Sequence, residues 1–152
     1  MMLIPRPFHS RSFSVAASLC LAALLTGISV TPTLAATYYW DNNGATAGFG
    51  TASGTWAVPT TGNASQGWST SSGGTLLPGN VTTTSDDDLN FGTASLALGA
   101  GTVTVSGSVT NNTITFATNS PIILSGGTLV LAGASAAING SAPNTVINSA
   151  IV

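Results

Sequence analysis

The chain has 152 residues, of which 43% are hydrophobic and only 4% charged, against about 25% charged in an ordinary globular domain. Its basic side chains (Arg6, His9, Arg11) and its single cysteine, Cys20, all precede residue 35, and the only ionisable side chains beyond it are Tyr38, Tyr39, Asp41, Asp86, Asp87 and Asp88. This excludes His-, Cys- or Lys-based catalysis, Arg/Lys recognition of phosphate or nucleic acid, and His/Cys transition-metal sites. No enzyme and no cofactor is expected. Abundant Val, Ile and Thr argue for a folded β protein rather than a disordered chain.

Residues 1–35 read as a secretory signal peptide. Arg6, His9 and Arg11 form a basic start, an apolar helical stretch runs from Phe13 to Val30, and Pro32 breaks it. Thr33-Leu34-Ala35 places small residues at the −3 and −1 positions of a cut after Ala35, with Ala36 a close competitor. The rival reading is a retained anchor, since the stretch approaches the roughly 17–20 residues of a membrane span. Cys20 follows Leu19, which is not small, so a lipoprotein cut is not expected. No membrane span is expected in the mature chain, and its cysteine-free composition puts the whole burden of stability on β packing.

Residues 36–92 form an aromatic-rich zone. Tyr38-Tyr39-Trp40 reads as a strand, and Asp41-Asn42-Asn43-Gly44 as a tight turn, because Asn-Gly tolerates positive φ. Gly54 to Val58 is a second strand ending at Pro59, Gly67 to Thr70 a third, and Asp88 to Phe91 alternates as a half-buried strand should.

Residues 93–152 are short β segments between small-residue turns: Thr102–Val105, Thr113–Phe116, Pro121–Leu124, Thr128–Leu131, Ala137–Asn139 and Thr145–Ile147. No helix is expected after the leader. The inward candidates Ile114, Ile122, Leu129, Ile138 and Val146 are spaced by 8, 7, 9 and 8 residues, so every third one recurs after 24. Three short strands per repeat of constant length predict an all-β, right-handed parallel β-helix, with the aromatic zone as its N-terminal cap. An antiparallel β-sandwich is the alternative. Two repeats are few for a stable stack, and Thr145 to Val152 is an apolar strand without a gatekeeper charge. The β-helix is therefore expected to be truncated here, with the rest of its own longer chain as a partner.

Trp40-Asp41-Asn42-Asn43-Gly44, Gly48-Phe49-Gly50, Gly54-Thr55-Trp56, Trp68-Ser69 and Asp87-Asp88-Leu89-Asn90-Phe91-Gly92 follow one another in order, as do Thr104-Val105-Ser106-Gly107, Asn112 to Phe116 and Leu124 to Leu129. In this ordered set the chain resembles the N-terminal region of bacterial proteins with autotransporter-associated β-strand repeats. The resemblance implies a long β-helical, adhesion-like or structural protein, extracellular or at the outer-membrane surface, without catalytic residues. No site residue carries over, and neither a barrel nor a sorting tail is present.

Three groups are candidate sites. Asp86, Asp87 and Asp88 are the one charge cluster and a weak Ca²⁺ candidate; the competing reading is a solvated strand entrance, since neighbours on a strand alternate faces. Asp41 with one of them is a remote glycosidase pair, and an Asx turn explains Asp41 better. Trp40, Trp56 and Trp68 are glycan-stacking candidates, set against service as the cap of the solenoid. The leading function is an exported structural or adhesive protein touching surface glycans or neighbouring cells. The alternatives are a carbohydrate-binding module using exposed Trp residues and, more weakly, a hydrolase whose catalytic residues lie elsewhere.

Overall fold

The computed structural model describes residues 34–60, 66–117, 119–140 and 142–152. The expected signal helix lies outside the described residues. Those described contain ten strands and no helix, so the fold is all-β: β1 (Thr37–Asp41), β2 (Gly54–Trp56), β3 (Gly67–Ser69), β4 (Asp88–Phe91), β5 (Gly101–Val105), β6 (Ser108–Asn111), β7 (Thr113–Phe116), β8 (Ile122–Leu131), β9 (Ala137–Gly140) and β10 (Val146–Ile151).

The strands form two sheets. One runs β3-β1-β4-β7-β9; the other runs β10-β8-β5-β2, with β6 also paired to β8. The first sheet is mixed, because β3 pairs antiparallel with β1. Every other ladder between named strands is parallel. The antiparallel sandwich does not match this pairing. Strands close in sequence do not pair with each other here; the ladders join segments about one repeat apart. Asp88 lies opposite Thr113 and Thr113 opposite Ala137. Gly101 lies opposite Ile122, and Ile123 opposite Val146. Ser108 lies opposite Thr128, and Thr128 opposite Ala150.

Period-2 alternation builds the interior. In β4, Leu89 and Phe91 are buried while Asp88 and Asn90 are not; in β7, Ile114 and Phe116 repeat the pattern. Parallel register then stacks like on like. Leu89, Ile114 and Ile138 occupy one column. Phe91 lies on Phe116 with centroids 5.1 Å apart and planes 12° from parallel. Val103 and Leu124 make another buried column, as do Val109 and Leu129.

Two expectations need correction. Val146 faces outward and is 42% exposed, while Ile147 packs against the core. Ile147 pairs with Leu124 and Val146 with Ile123, so this ladder advances by 23 residues instead of 24, and one residue of slip exchanges the two faces of a strand. The segments 121–124 and 128–131 are likewise not separate strands. They are the halves of β8, joined at Gly126 (φ 86°) and Gly127 (φ 44°). A Cβ on Gly127 would meet Gly107 O at 2.5 Å and Val105 Cγ1 at 2.7 Å. This corner therefore needs glycine for its backbone angle and for its space.

Candidate functional site

The aromatic zone encloses its indoles. Trp40, Trp56 and Trp68 are 0%, 0% and 1% exposed. Trp68, on the edge strand β3, meets Trp40 and Trp56 edge to face with centroids 5.1 and 5.2 Å away, and meets Phe91 at 5.5 Å. The cluster runs on through Phe91 to Phe116, so the cap and the repeats share one core. No indole face is open to a sugar, which removes the geometric basis for reading these three residues as a stacking platform. Each indole N–H is buried without an oxygen partner. Their edge-to-face packing suits the aromatic quadrupole.

Outside this cluster, the turn after β1 folds back over the sheet. Asp41 Oδ1 accepts the backbone N–H of Asn43 at 2.9 Å, the Asx turn that the sequence implies. Asn42 then holds the loop: its Oδ1 accepts Thr51 N–H at 2.7 Å, its Nδ2 donates to Thr51 Oγ1, and its own N–H donates to Phe49 O. Phe49 stacks on Tyr39 at 5.8 Å. Asp41 is fully buried, and its Oδ2 has no donor. Burial pushes its pKa above the ordinary carboxylate value, and the Asn43 N–H only partly offsets this.

The three adjacent aspartates have separate duties. Asp87 is 4% exposed. Its Oδ1 accepts Ala36 N–H at 3.1 Å, and its Oδ2 accepts both Thr84 N–H at 2.7 Å and the Thr84 hydroxyl at 3.0 Å. Asp88 Oδ1 accepts Asn112 Nδ2 at 2.9 Å and the Thr113 hydroxyl at 2.6 Å. Asp86 is exposed and lines a shallow cleft of about 360 Å³ with Leu34, Ala35, Ser85, Asn112, Ala134 and Ser135. Two of the three carboxylates thus spend their oxygens on the chain itself. Among the described residues no group of three or more His, Cys, Asp or Glu is placed to hold a metal. The Ca²⁺ reading of Asp86, Asp87 and Asp88 does not fit this arrangement.

Asp41 is also remote from these aspartates. Asp88 lies opposite Thr37 at the far end of β1, and four residues of strand span about 13 Å. A glycosidase pair needs roughly 5–9.5 Å, so the pairing of Asp41 with Asp88 does not fit one.

Sequence reasoning overlooked the corner residue Asn112. Its Nδ2 donates back to Asp88, its Oδ1 accepts Ser135 N–H at 3.1 Å, its N–H donates to Asp87 O, and its carbonyl accepts Ala137 N–H. One side chain thereby ties three successive repeats. Gly133 lies against it: a Cβ there would collide with Asn112 Oδ1 and approach Ser85 O at 2.5 Å. Asn112 followed by Thr113 was the available signal, because an Asn at a corner between strands is suited to such ladders.

The site that emerges is a set of staples and stacked columns, with no convergent nucleophile, base or ligand cage among the described residues. Comparison with models of protein families, with curated proteins and with solved structures found no match. Among the described residues no helix is long and apolar enough to cross a membrane.

Proposed function

We propose that this is an exported structural or adhesion-like protein whose strands wind as a parallel β-helix, with 36–92 as its cap and 93–152 as its repeats. The observation that carries this reading is the ladder β4-β7-β9, in which Asp88, Thr113 and Ala137 stand in line at steps of 25 and 24 residues. The other faces advance in parallel by 20 to 23. Parallel crossovers of this kind are almost always right-handed. The upper edge of the first sheet is covered by the antiparallel β3, whereas β9 and β10 end their sheets with free edges. Such an edge suits further rungs of the same period, which we propose as its partner.

The outward columns set the surface chemistry. Tyr39, Asn90, Thr115 and Asn139 align on one face, and Thr104, Ser125 and Asn148 on another. No side chain after Asp88 is ionisable. Repeated hydroxyls and amides on a rigid ladder favour many weak contacts with surface glycans or neighbouring cells over one tight site. The leader, with cleavage after Ala35, directs the chain outside the cell. The family we propose for it is that of the autotransporter-associated β-strand repeats, on the ordered motifs alone.

The test is expression of the full chain in a Gram-negative host. Protease added to intact cells should remove the protein, and beads coated with it should attach to polysaccharide-covered surfaces. Protein retained inside the cell defeats the export reading. Beads that attach no better than albumin-coated controls defeat the adhesive one.

A further inference from the structure

The backbone N–H of Ala36 donates to Asp87 Oδ1 at 3.1 Å, and the carbonyl of Ala36 accepts the N–H of Asp88 at 2.8 Å. Ala36 is thus held on both sides by the first stacked strand. Ala35, one residue earlier, is exposed and lies in the open cleft beside Asp86. The contact sits where the leader reading puts the cut.

We propose that removal of the leader creates a structural ion pair: the new α-ammonium of Ala36 docks on the buried carboxylate of Asp87 and locks the first strand of the cap. The inference rests on the proposed cleavage after Ala35. Hydrolysis adds one water across the Ala35–Ala36 peptide bond. It leaves a carboxylate on Ala35, which departs with the leader, and an amine on Ala36 that is protonated at neutral pH. The nitrogen that is a neutral amide donor before the cut becomes a charged one after it. A charge-assisted hydrogen bond is roughly twice as strong as a neutral one.

The surroundings favour this pair. Asp87 is almost wholly buried, and its other oxygen is already taken by Thr84. From residue 36 onward the chain has no Lys, Arg or His, so the α-ammonium is the one cation that the mature chain can offer it. The ionisable groups nearby are Asp86 in the adjoining turn, Asp88 on β4 and Tyr38 on β1. All are anionic or neutral. The charge on Asp87 already helps to push the Tyr38 hydroxyl above its ordinary pKa, second to burial. The same field holds an ammonium protonated. The alternative cut after Ala36 would remove both the donor to Asp87 and the acceptor of Asp88, so the geometry also selects between the two cleavage positions.

The experiment uses protein exported and processed from the full chain. N-terminal sequencing comes first and should read Ala-Thr-Tyr-Tyr-Trp. A start at Thr37, or no cleavage, overturns the cleavage reading. The ion pair is then tested on protein that does begin at Ala36. The chain has no lysine, so acetic anhydride at mild pH modifies one amine only. Acetylation should lower the thermal midpoint by roughly 3–8 °C, and the shift should shrink to near zero in Asp87→Asn. The amine should titrate above the ordinary α-amino value of about 7.7–8.0. Its folded pKa is raised, so the stabilisation is complete below that ordinary value and is lost as pH rises through the folded pKa. An unchanged midpoint on acetylation overturns the proposal. So does an equal loss in Asp87→Asn.

Discussion

The aromatic zone and the repeats close their interiors by different means. Around β1 to β4 the core consists of Trp40, Trp56, Trp68 and Phe91 meeting edge to face, beneath a covering antiparallel strand. Around β9 and β10 the equivalent inward residues are Ile138, Ile147 and Ile151, each stacked on the previous repeat and open on the other side; Ile151 is 50% exposed. The same columns run through both regions, so the difference lies in what covers them. A stack of strands needs a lid at one end, and large rings bury the most area per residue, about 150–250 Å² each.

The largest effect should come from removing the lid. Trp68→Ala should destabilise the protein by about 3–5 kcal/mol in urea unfolding, because Trp68 touches Trp40, Trp56 and Phe91 together. Ile147→Ala in the open rung should cost clearly less, about 1 kcal/mol, since a half-covered side chain loses less transfer energy and leaves no closed cavity. Equal losses at the two positions would erase the distinction between the regions.

The corner comes next. Asn112→Ala removes a charge-assisted bond to Asp88 and the acceptor of Ser135, and should cost about 1–3 kcal/mol. Gly133→Ala should cost a similar amount by overpacking, since the new methyl group meets Asn112 Oδ1 and Ser85 O. The two substitutions share one contact, so the double variant should lose less than the sum of the single losses. Additive losses in the double-mutant cycle would show that the corner is not one unit.

Asp41 supplies a pH-dependent difference confined to the cap. Burial raises its folded pKa above the unfolded one. The folded state therefore binds the proton more tightly. Asp41 penalises the fold least below the ordinary carboxylate value, and the penalty grows as pH rises from there through the folded pKa. Asp41→Asn keeps an acceptor for the Asn43 N–H and carries no charge. It should match or exceed the parent in stability at neutral pH, with its advantage shrinking as the solution is made acidic. Chemical denaturation at a series of pH values measures this, and an advantage that stays constant with pH would rule it out.

The smallest effect is expected at Gly140, beside Phe116 in the last repeat. A Cβ there would sit 3.7 Å from Phe116 Cβ and Cδ2, an ordinary contact. Gly140→Ala should stabilise by about 0.4–1 kcal/mol, chiefly by reducing the freedom of the unfolded chain. A loss of stability would mean that the open rung is more tightly specified than its exposure suggests.

Much of the strand pattern could be read locally. Leu89 and Phe91, Val103 and Val105, and Ile114 and Phe116 alternate with polar residues and lie inside, as that alternation implies. The Asx turn at Asp41 needs only the residues of the turn itself. By contrast, β6 was not anticipated. Ser108-Val109-Thr110-Asn111 has a single apolar residue, and its pairing with β8 makes it a strand. The exchange of Val146 for Ile147 escaped for a similar reason, because both residues are apolar and one residue of register decides between them. The site was less legible than the fold. Three adjacent aspartates suggest one cluster, yet they serve Ala36 and Thr84, then Asn112 and Thr113, and then the rim of a cleft.

By itself the sequence determined that the described chain is all-β and where most of its strands fall, because alternation and turn chemistry are properties of neighbouring residues. Only the tertiary structure decided which strands pair, that the ladders beyond β3 run parallel, and that three tryptophans and two carboxylates turn inward on the chain's own groups. Those outcomes depend on residues 20 to 50 positions apart reaching hydrogen-bond and van der Waals distance, and no local preference encodes such a separation.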